Sequence, residues 1–270
     1  LALDPACAEA CINLGNALLA LARHDEAIAR YEQAVAIKPA YAEAHCSLGA
    51  ALRALARHGE AVGCYERAVA LRPAYSEAYL HLGDTLQTLG RYDEAIARYE
   101  QALALNPAKA EAHGNLGNAF HAAGRYEEAI APHEQALALK PALAEAHFNL
   151  GKALLALGRY EEAIARCEQA LALKPAFVEA YYLLGNALQA LHRYSDATAR
   201  YEKALAIRPA FAEAHTNLGN ALKALHRLDE ALPHYAQALA IKPDLAEPEA
   251  NMGLALLALG RYAEGWQPYE

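Results

Sequence analysis

Large aromatic side chains are scarce in this 270-residue chain: tryptophan and methionine occur once each, phenylalanine four times, and aromatics reach only 8% although 55% of the residues are hydrophobic. A core drawn from this composition is made of alanine and leucine, which suits closely packed helices. Positive charge is in deficit. With 24 Lys+Arg against 32 Asp+Glu, a net charge of −8 and no block of like charge, a phosphate-neutralising surface is not expected, and neither is a nucleic-acid partner. No run of 18 apolar residues is available to span a bilayer, so no membrane partner is expected. The opening stretch LALDPACAEA has neither a basic n-region nor an initiator methionine, and the chain reads as a piece of something longer.

Catalytic signatures are missing as well. There is no phosphate loop, nucleophile elbow, HExxH or dinucleotide fingerprint, so neither an enzyme nor a cofactor is expected. Five cysteines (Cys7, Cys11, Cys46, Cys64, Cys167) are odd in number and scattered, which suits unpaired thiols in a reducing compartment and makes the cytoplasm the expected location. Cys7 and Cys11 could form half a metal site, but no second pair accompanies them, and both read as buried small hydrophobes. His113 and His147 occupy equivalent places about a helix diameter apart (~10 Å), too far to share an ion directly. No metal site is expected.

What is present is a period. Gly15, Gly49, Gly83, Gly117, Gly151, Gly185, Gly219 and Gly253 lie 34 residues apart, as do Pro5, Pro39, Pro73, Pro107, Pro141, Pro175, Pro209 and Pro243. A frame opened at Ala8 gives seven units, 8–41, 42–75, 76–109, 110–143, 144–177, 178–211 and 212–245, with 1–7 ending a preceding unit and 246–270 a partial one. Each unit carries two stretches of helical apolar spacing, for example 144–157 and 161–174, separated by a break where Gly158 can end the first helix and closed by Pro175. The recurrent RYEEA reads as structural, and Pro132 and Pro233, inside second helices, are expected to kink them.

The pattern of Leu-Gly, Ala, aromatic and Pro, as in Leu82-Gly83, Ala95, Tyr99 and Pro107, resembles the tetratricopeptide repeat over essentially the whole chain. Two places depart from it. The usual Trp slot holds Cys11, His45, Tyr79, His113, His147, Tyr181, His215 and Glu249, and the first aromatic slot is leucine except at Phe120. The resemblance implies an all-α α-solenoid, a right-handed superhelix of stacked 34-residue helix-turn-helix units whose first helices line a concave groove. Units that touch only their neighbours enclose no pocket, so function is expected on that groove.

Numbered within the repeat, positions 3, 4, 7, 8, 10, 11 and 14 of the first helix cluster on one side of a helical wheel and positions 2, 5, 6, 9, 12 and 13 on the other. Position 6 holds Asn13, Asn115, Asn149, Asn217 and Asn251, and position 9 holds Asn16, Asn118, Asn186 and Asn220. Asparagine is a poor interior helix former. Its amide carries a donor and an acceptor, however, and can pair with the peptide unit of another chain whatever that chain's sequence. These nine amides are therefore expected to hold an extended polypeptide, with Phe148 and Tyr182 adding apolar contact. The ladder resembles that in the tetratricopeptide arm of O-GlcNAc transferase, with gaps at Ser47, His81 and Leu183.

Position-2 glutamates, from Glu9 to Glu247, suit the helix dipole and leave an acidic groove edge. Basic groove residues are few, so an acidic tail is disfavoured as a guest and a neutral or basic, partly apolar segment is favoured. The ending ALGRYAEGWQPYE resembles bacterial repeat proteins in which a glycosyltransferase-like domain follows, which implies a substrate-recruiting arm. Three alternatives remain open: the asparagines are copied residues tolerated on an exposed face, they bond the neighbouring unit, or the chain is a structural scaffold with an idle groove. Apolar faces expected at both ends predict end-to-end association into concentration-dependent homo-oligomers.

Overall fold

Each apolar stripe read above becomes one helix of 13 or 14 residues in the computed structural model, which describes residues 7–265. Trp266, expected to seal the last hairpin, lies outside the described residues. The chain divides into two compact units, residues 1–140 and 141–270. The first carries α1 (Ala8–Ala20), α2 (His24–Ile37), α3 (Ala42–Ala54), α4 (His58–Leu71), α5 (Ser76–Thr88), α6 (Tyr92–Leu105), α7 (Ala110–Ala122) and α8 (Tyr126–Leu139). The second carries α9 (Ala144–Ala156), α10 (Tyr160–Leu173), α11 (Val178–Ala190), α12 (Tyr194–Ile207), α13 (Ala212–Ala224), α14 (Leu228–Ile241), α15 (Ala246–Ala258) and α16 (Tyr262–Gly265). Odd and even neighbours pair as antiparallel hairpins, and within each unit consecutive hairpins stack. No described helix is long and apolar enough to cross a membrane.

Local chemistry sets the helix ends. No first helix has a side-chain cap. The position-2 glutamate stands in the first turn, where the macrodipole favours it, and in four repeats it also meets a cation just past the second helix. Glu145 accepts from Lys174 at 2.9 Å, and Glu43, Glu179 and Glu213 pair likewise with Arg72, Arg208 and Lys242. These pairs tie the two ends of a hairpin together and offset the charge of four of the eight glutamates that the sequence suggested form an acidic edge. At the other end of α9, Gly158 adopts φ +74°; Arg159 N–H then donates to Leu154 O at 2.9 Å and Gly158 N–H to Leu155 O at 3.0 Å, which consumes the last carbonyls. Across the turn, Arg159 grips Glu162 at 2.7 Å, an arginine-to-acid clasp that recurs from Arg23–Glu26 to Arg261–Glu264. Helices α8 and α14 run unbroken through Pro132 and Pro233.

Inside each hairpin the position-8 glycine faces position 24 of the second helix. A β-carbon built on Gly185 would stand 2.5 Å from Tyr201 Cε1, and one on Gly219 would stand 2.5 Å from Tyr235 Cε1. Those two rings are completely buried. Where position 24 is Cys167 the crowding eases, and a β-carbon on Gly151 would lie 3.3 Å from Sγ. Histidines in the Trp slot brace the loop before the first helix. His45, His113, His147 and His215 each place Nε2 about 3 Å from the carbonyl of Pro39, Pro107, Pro141 or Pro209 six residues earlier.

None of the five cysteines forms a disulfide. Cys11 is buried, but Cys7 is exposed, which corrects the expectation that both are buried; Cys7 stands just before α1, whereas Cys11 lies on its packed face. Burial pushes the Cys46 thiol up to about 11 and that of Cys167 up to about 12.

His215 meets a second histidine. Its Nε2–H donates to Pro209 O, so its Nδ1 is the acceptor, and His234 Nδ1 stands 3.1 Å away as donor. Burial first, and the neighbouring His215 second, hold the His234 pKa below its ordinary value, while Glu230 opposes them.

Two outcomes follow from this packing. Gly185→Ala should cost about 1–3 kcal/mol through overpacking, whereas Gly151→Ala should be neutral or stabilising by up to about 1 kcal/mol through helix propensity; urea unfolding that ranks the two equally would contradict the ring-on-glycine contact. His234 favours the fold when neutral, so its contribution is intact above the unfolded pKa of about 6.5 and is lost as pH falls below that. Melting temperature should therefore drop between pH 7 and pH 5.5 more steeply in the native chain than in His234→Gln, and parallel profiles would contradict this.

Candidate functional site

The asparagines sit on the helix face opposite the glycines, but most are not idle. Tyr31, Tyr201 and Tyr235 at position 24 each pass over a glycine and donate the phenol proton to the position-9 amide oxygen of the same hairpin: Asn16 Oδ1 at 2.7 Å, Asn186 Oδ1 at 2.8 Å and Asn220 Oδ1 at 3.0 Å. Tyr99 does the same to Asp84 Oδ1 at 2.9 Å. The next hairpin joins through position 6. Asn217 Nδ2 donates to Asn186 Oδ1, Asn251 Nδ2 to Asn220 Oδ1 and Asn115 Nδ2 to Asp84 Oδ1, each at 2.9 Å. Three links thus form a chain that runs from tyrosine to one side-chain oxygen and on to the amide of the following repeat.

Some amide atoms stay uncommitted. Asn217 spends its two amide hydrogens on Asn186 and on the Tyr182 hydroxyl at 3.1 Å, while its oxygen has no partner among the described residues. The Asn115 oxygen is in the same position. The side chains of Asn13, Asn118 and Asn149 make no hydrogen bond to the described residues of their own unit. At the last step both amides are fully engaged, because Lys223 Nζ donates to Asn251 Oδ1 at 2.6 Å and Asn220 Nδ2 donates to Glu247 Oε1 at 2.8 Å. Asn13 and Asn16 are exposed and the other seven are half-buried. The amide atoms left without a partner among the described residues are therefore mainly position-6 carbonyl oxygens, which can accept N–H groups.

Apolar groove candidates take part in packing. Phe148 lies 4.9 Å from Phe177, centroid to centroid, and Tyr182 lies 4.9 Å from Phe211. Burial chiefly raises the Tyr182 pKa, against the amides of Asn186 and Asn217. Both residues are half-buried.

Sequence reasoning missed the tyrosine as partner of position 9, yet the signal was there: Asn16, Asp84, Asn186 and Asn220 all share a repeat with a position-24 tyrosine, and Lys152 shares one with Cys167. The exception is informative. In the second repeat position 9 is Ala50, and the buried Tyr65 hydroxyl has no partner. No group of three or more metal-ligating side chains occurs among the described residues.

Comparison with known proteins agrees with this geometry. A family model described as TPR repeat matches residues 15–55, 83–124, 117–158, 151–192 and 190–226, and models described as tetratricopeptide repeat match 42–75, 64–97 and 212–245. None of these is an enzyme family. No curated protein matches the chain. Among solved structures, the chain is similar to MamA protein at 29% identity, covering 62% of this chain and 92% of that one with a TM-score of 0.58. It also shares a fold with YrrB, described as a TPR protein with an unusual peptide-binding site, at 23% identity over 73% of this chain and 97% of that one with a TM-score of 0.58. The C-terminal part of a TPR repeat-containing protein from Cytophaga hutchinsonii aligns at 18% identity over 89% of this chain and 99% of that one, with a TM-score of 0.73.

Ala50→Asn should supply the missing acceptor for Tyr65 and raise stability by about 1 kcal/mol. Tyr65→Phe should be nearly neutral in the native chain but destabilising in the Ala50→Asn background, and a double-mutant cycle on urea unfolding with no coupling would contradict the pairing.

Proposed function

The chain belongs to the tetratricopeptide repeat family, a family of protein-protein interaction modules, and from that premise we propose that it captures an extended polypeptide along the first-helix face through its asparagine ladder. The observation that carries this reading is the unused oxygen of Asn217, held in place by two internal hydrogen bonds from its own amide nitrogen. A group so fixed is pre-organised to accept a backbone N–H, with little side-chain entropy left to lose. Asn13, Asn16, Asn115 and Asn118 form the ladder of the first unit and Asn149, Asn186, Asn217, Asn220 and Asn251 that of the second, and in each position 6 meets the guest and position 9 chiefly supports it. Phe148 and Tyr182 supply apolar contact. Backbone recognition explains why the ladder needs no particular guest sequence, and the scarcity of groove cations favours a neutral or basic, partly apolar segment. The resemblance of the ending ALGRYAEGWQPYE to bacterial repeat proteins in which a glycosyltransferase-like domain follows supports reading the ladder as a substrate-recruiting arm.

Replacing Asn115, Asn149 and Asn217 together by alanine tests the reading. At about 1 kcal/mol per hydrogen bond lost, peptide affinity measured by fluorescence anisotropy against an array-selected binder should fall on the order of a hundredfold. Unchanged affinity, with the helical circular dichroism and melting profile retained, would show that the groove is idle and the chain a scaffold.

A further inference from the structure

One buried tyrosine lacks the partner that its counterparts share. Tyr31, Tyr99, Tyr201 and Tyr235 give the phenol proton to an oxygen at position 9, and Tyr99 and Tyr201 reach a second acceptor at position 12, Gln87 or Gln189. In the second repeat those two positions hold Ala50 and Arg53. Alanine has no acceptor and a guanidinium only donates, so the hydroxyl of the completely buried Tyr65 is orphaned. A second orphan stands beside it. Elsewhere an asparagine at position 6 of the next repeat comes to the position-9 oxygen. Here that residue is His81, whose ring centroid lies 5.8 Å from that of Tyr65 and whose Nδ1 is buried with no partner. Burial first, and Arg53 second, hold the His81 pKa below its ordinary value, so the ring is neutral at pH 7. Its Nε2 faces Glu77 Oε1 at 3.6 Å, which favours the proton on that nitrogen and leaves Nδ1 an acceptor. One donor and one acceptor, both desolvated, thus flank the place where Ala50 carries a methyl group instead of an amide.

We propose that this site takes a primary carboxamide from the bound segment, the side chain of a glutamine or asparagine, its oxygen accepting the Tyr65 phenol proton and its N–H donating to His81 Nδ1. The guest then supplies in trans the amide that Asn16, Asn186 and Asn220 supply in their own hairpins. A carboxylate fits worse, because it has no proton for Nδ1 and would join Asp84 and Glu77, whose charges already act on the histidine. An aliphatic side chain answers neither orphan. Ala50 and His81 are half-buried, and Arg53, 34% exposed, is tied to Asp84 by a single contact of 3.3 Å, so a rotamer change of Arg53 opens the way at the cost of one long hydrogen bond. The preference given to a bound segment rests on the peptide-capture reading above; the amide site itself does not.

The test uses the whole chain, isotope-labelled, with Nα-acetyl-glutamine methylamide as probe. It should shift the Tyr65 ring and His81 imidazole resonances saturably, whereas the norleucine and glutamate analogues should not. Ala50→Asn places the chain's own amide in the site and should abolish the shift with the fold intact. Tyr65→Phe removes only the donor and should weaken the probe by about fivefold or more, in line with one hydrogen bond. In array-selected peptides substituted one position at a time, one position should prefer glutamine or asparagine over leucine and glutamate by about fivefold or more. Ala50→Asn should erase that preference while the rest of the affinity stays. Equal shifts by the three probes, a shift indifferent to Ala50→Asn, or no saturable shift, as when water alone satisfies both atoms, would overturn the proposal whether or not peptides are captured. Probe binding sensitive to Ala50→Asn without capture of any peptide would uphold the site and remove the groove reading instead.

Discussion

The contact on which the rest depends is a tyrosine ring laid flat on a glycine. Because Gly15, Gly83, Gly185 and Gly219 have no β-carbon, Tyr31, Tyr99, Tyr201 and Tyr235 come within a distance that any other residue would block, and the two helices of a hairpin close on each other. Only at that separation does the phenol reach past its own helix to the position-9 side chain. A packing constraint in the core thus fixes a polar group on the surface.

That fixed group is what aligns the groove. A position-9 oxygen that accepts both a phenol from its own hairpin and an amide from the next joins intra-hairpin and inter-hairpin order in one acceptor, as at Asn186 and Asn220. Each such bond contributes only about 1 kcal/mol, but at Asn115 and Asn217 the position-6 amide is left with its nitrogen committed and its oxygen unpartnered among the described residues. The cost of placing asparagine inside a helix is offset by structure as well as by any guest. The ladder bonds the neighbouring repeat and can still present an acceptor, so two explanations that sequence alone treats as rivals share the same side chains.

The period of 34, the hairpin boundaries and the helix-terminating glycines were legible in the residues, because backbone chemistry makes them local: φ +74° at Gly158 or a proline after a second helix needs no knowledge of the partner helix. The orientation of the asparagines was half legible. A wheel places Asn115 and Asn217 opposite the core, but it cannot say which atom of an amide is used, since that depends on a residue 31 places earlier in the preceding hairpin. A separation of 29 places likewise hid the pairing of Glu43 with Arg72 and Glu213 with Lys242, part of a set that gives four of the eight position-2 glutamates a cationic partner. Cys7 was misplaced because composition gives a cysteine's preference for burial and not the neighbours available to bury it.

If position-6 oxygens hold a guest by its main chain, the guest's N–H groups are the atoms being read. An ester scan of an array-selected peptide, in which each backbone N–H is replaced in turn by oxygen with all side chains kept, probes those atoms one by one. Main-chain capture predicts that esters at the ladder-facing register weaken binding by roughly five- to tenfold each, in line with about 1 kcal/mol per bond, and that esters between them do nothing. A flat scan, with affinity lost only on side-chain replacement, would contradict it.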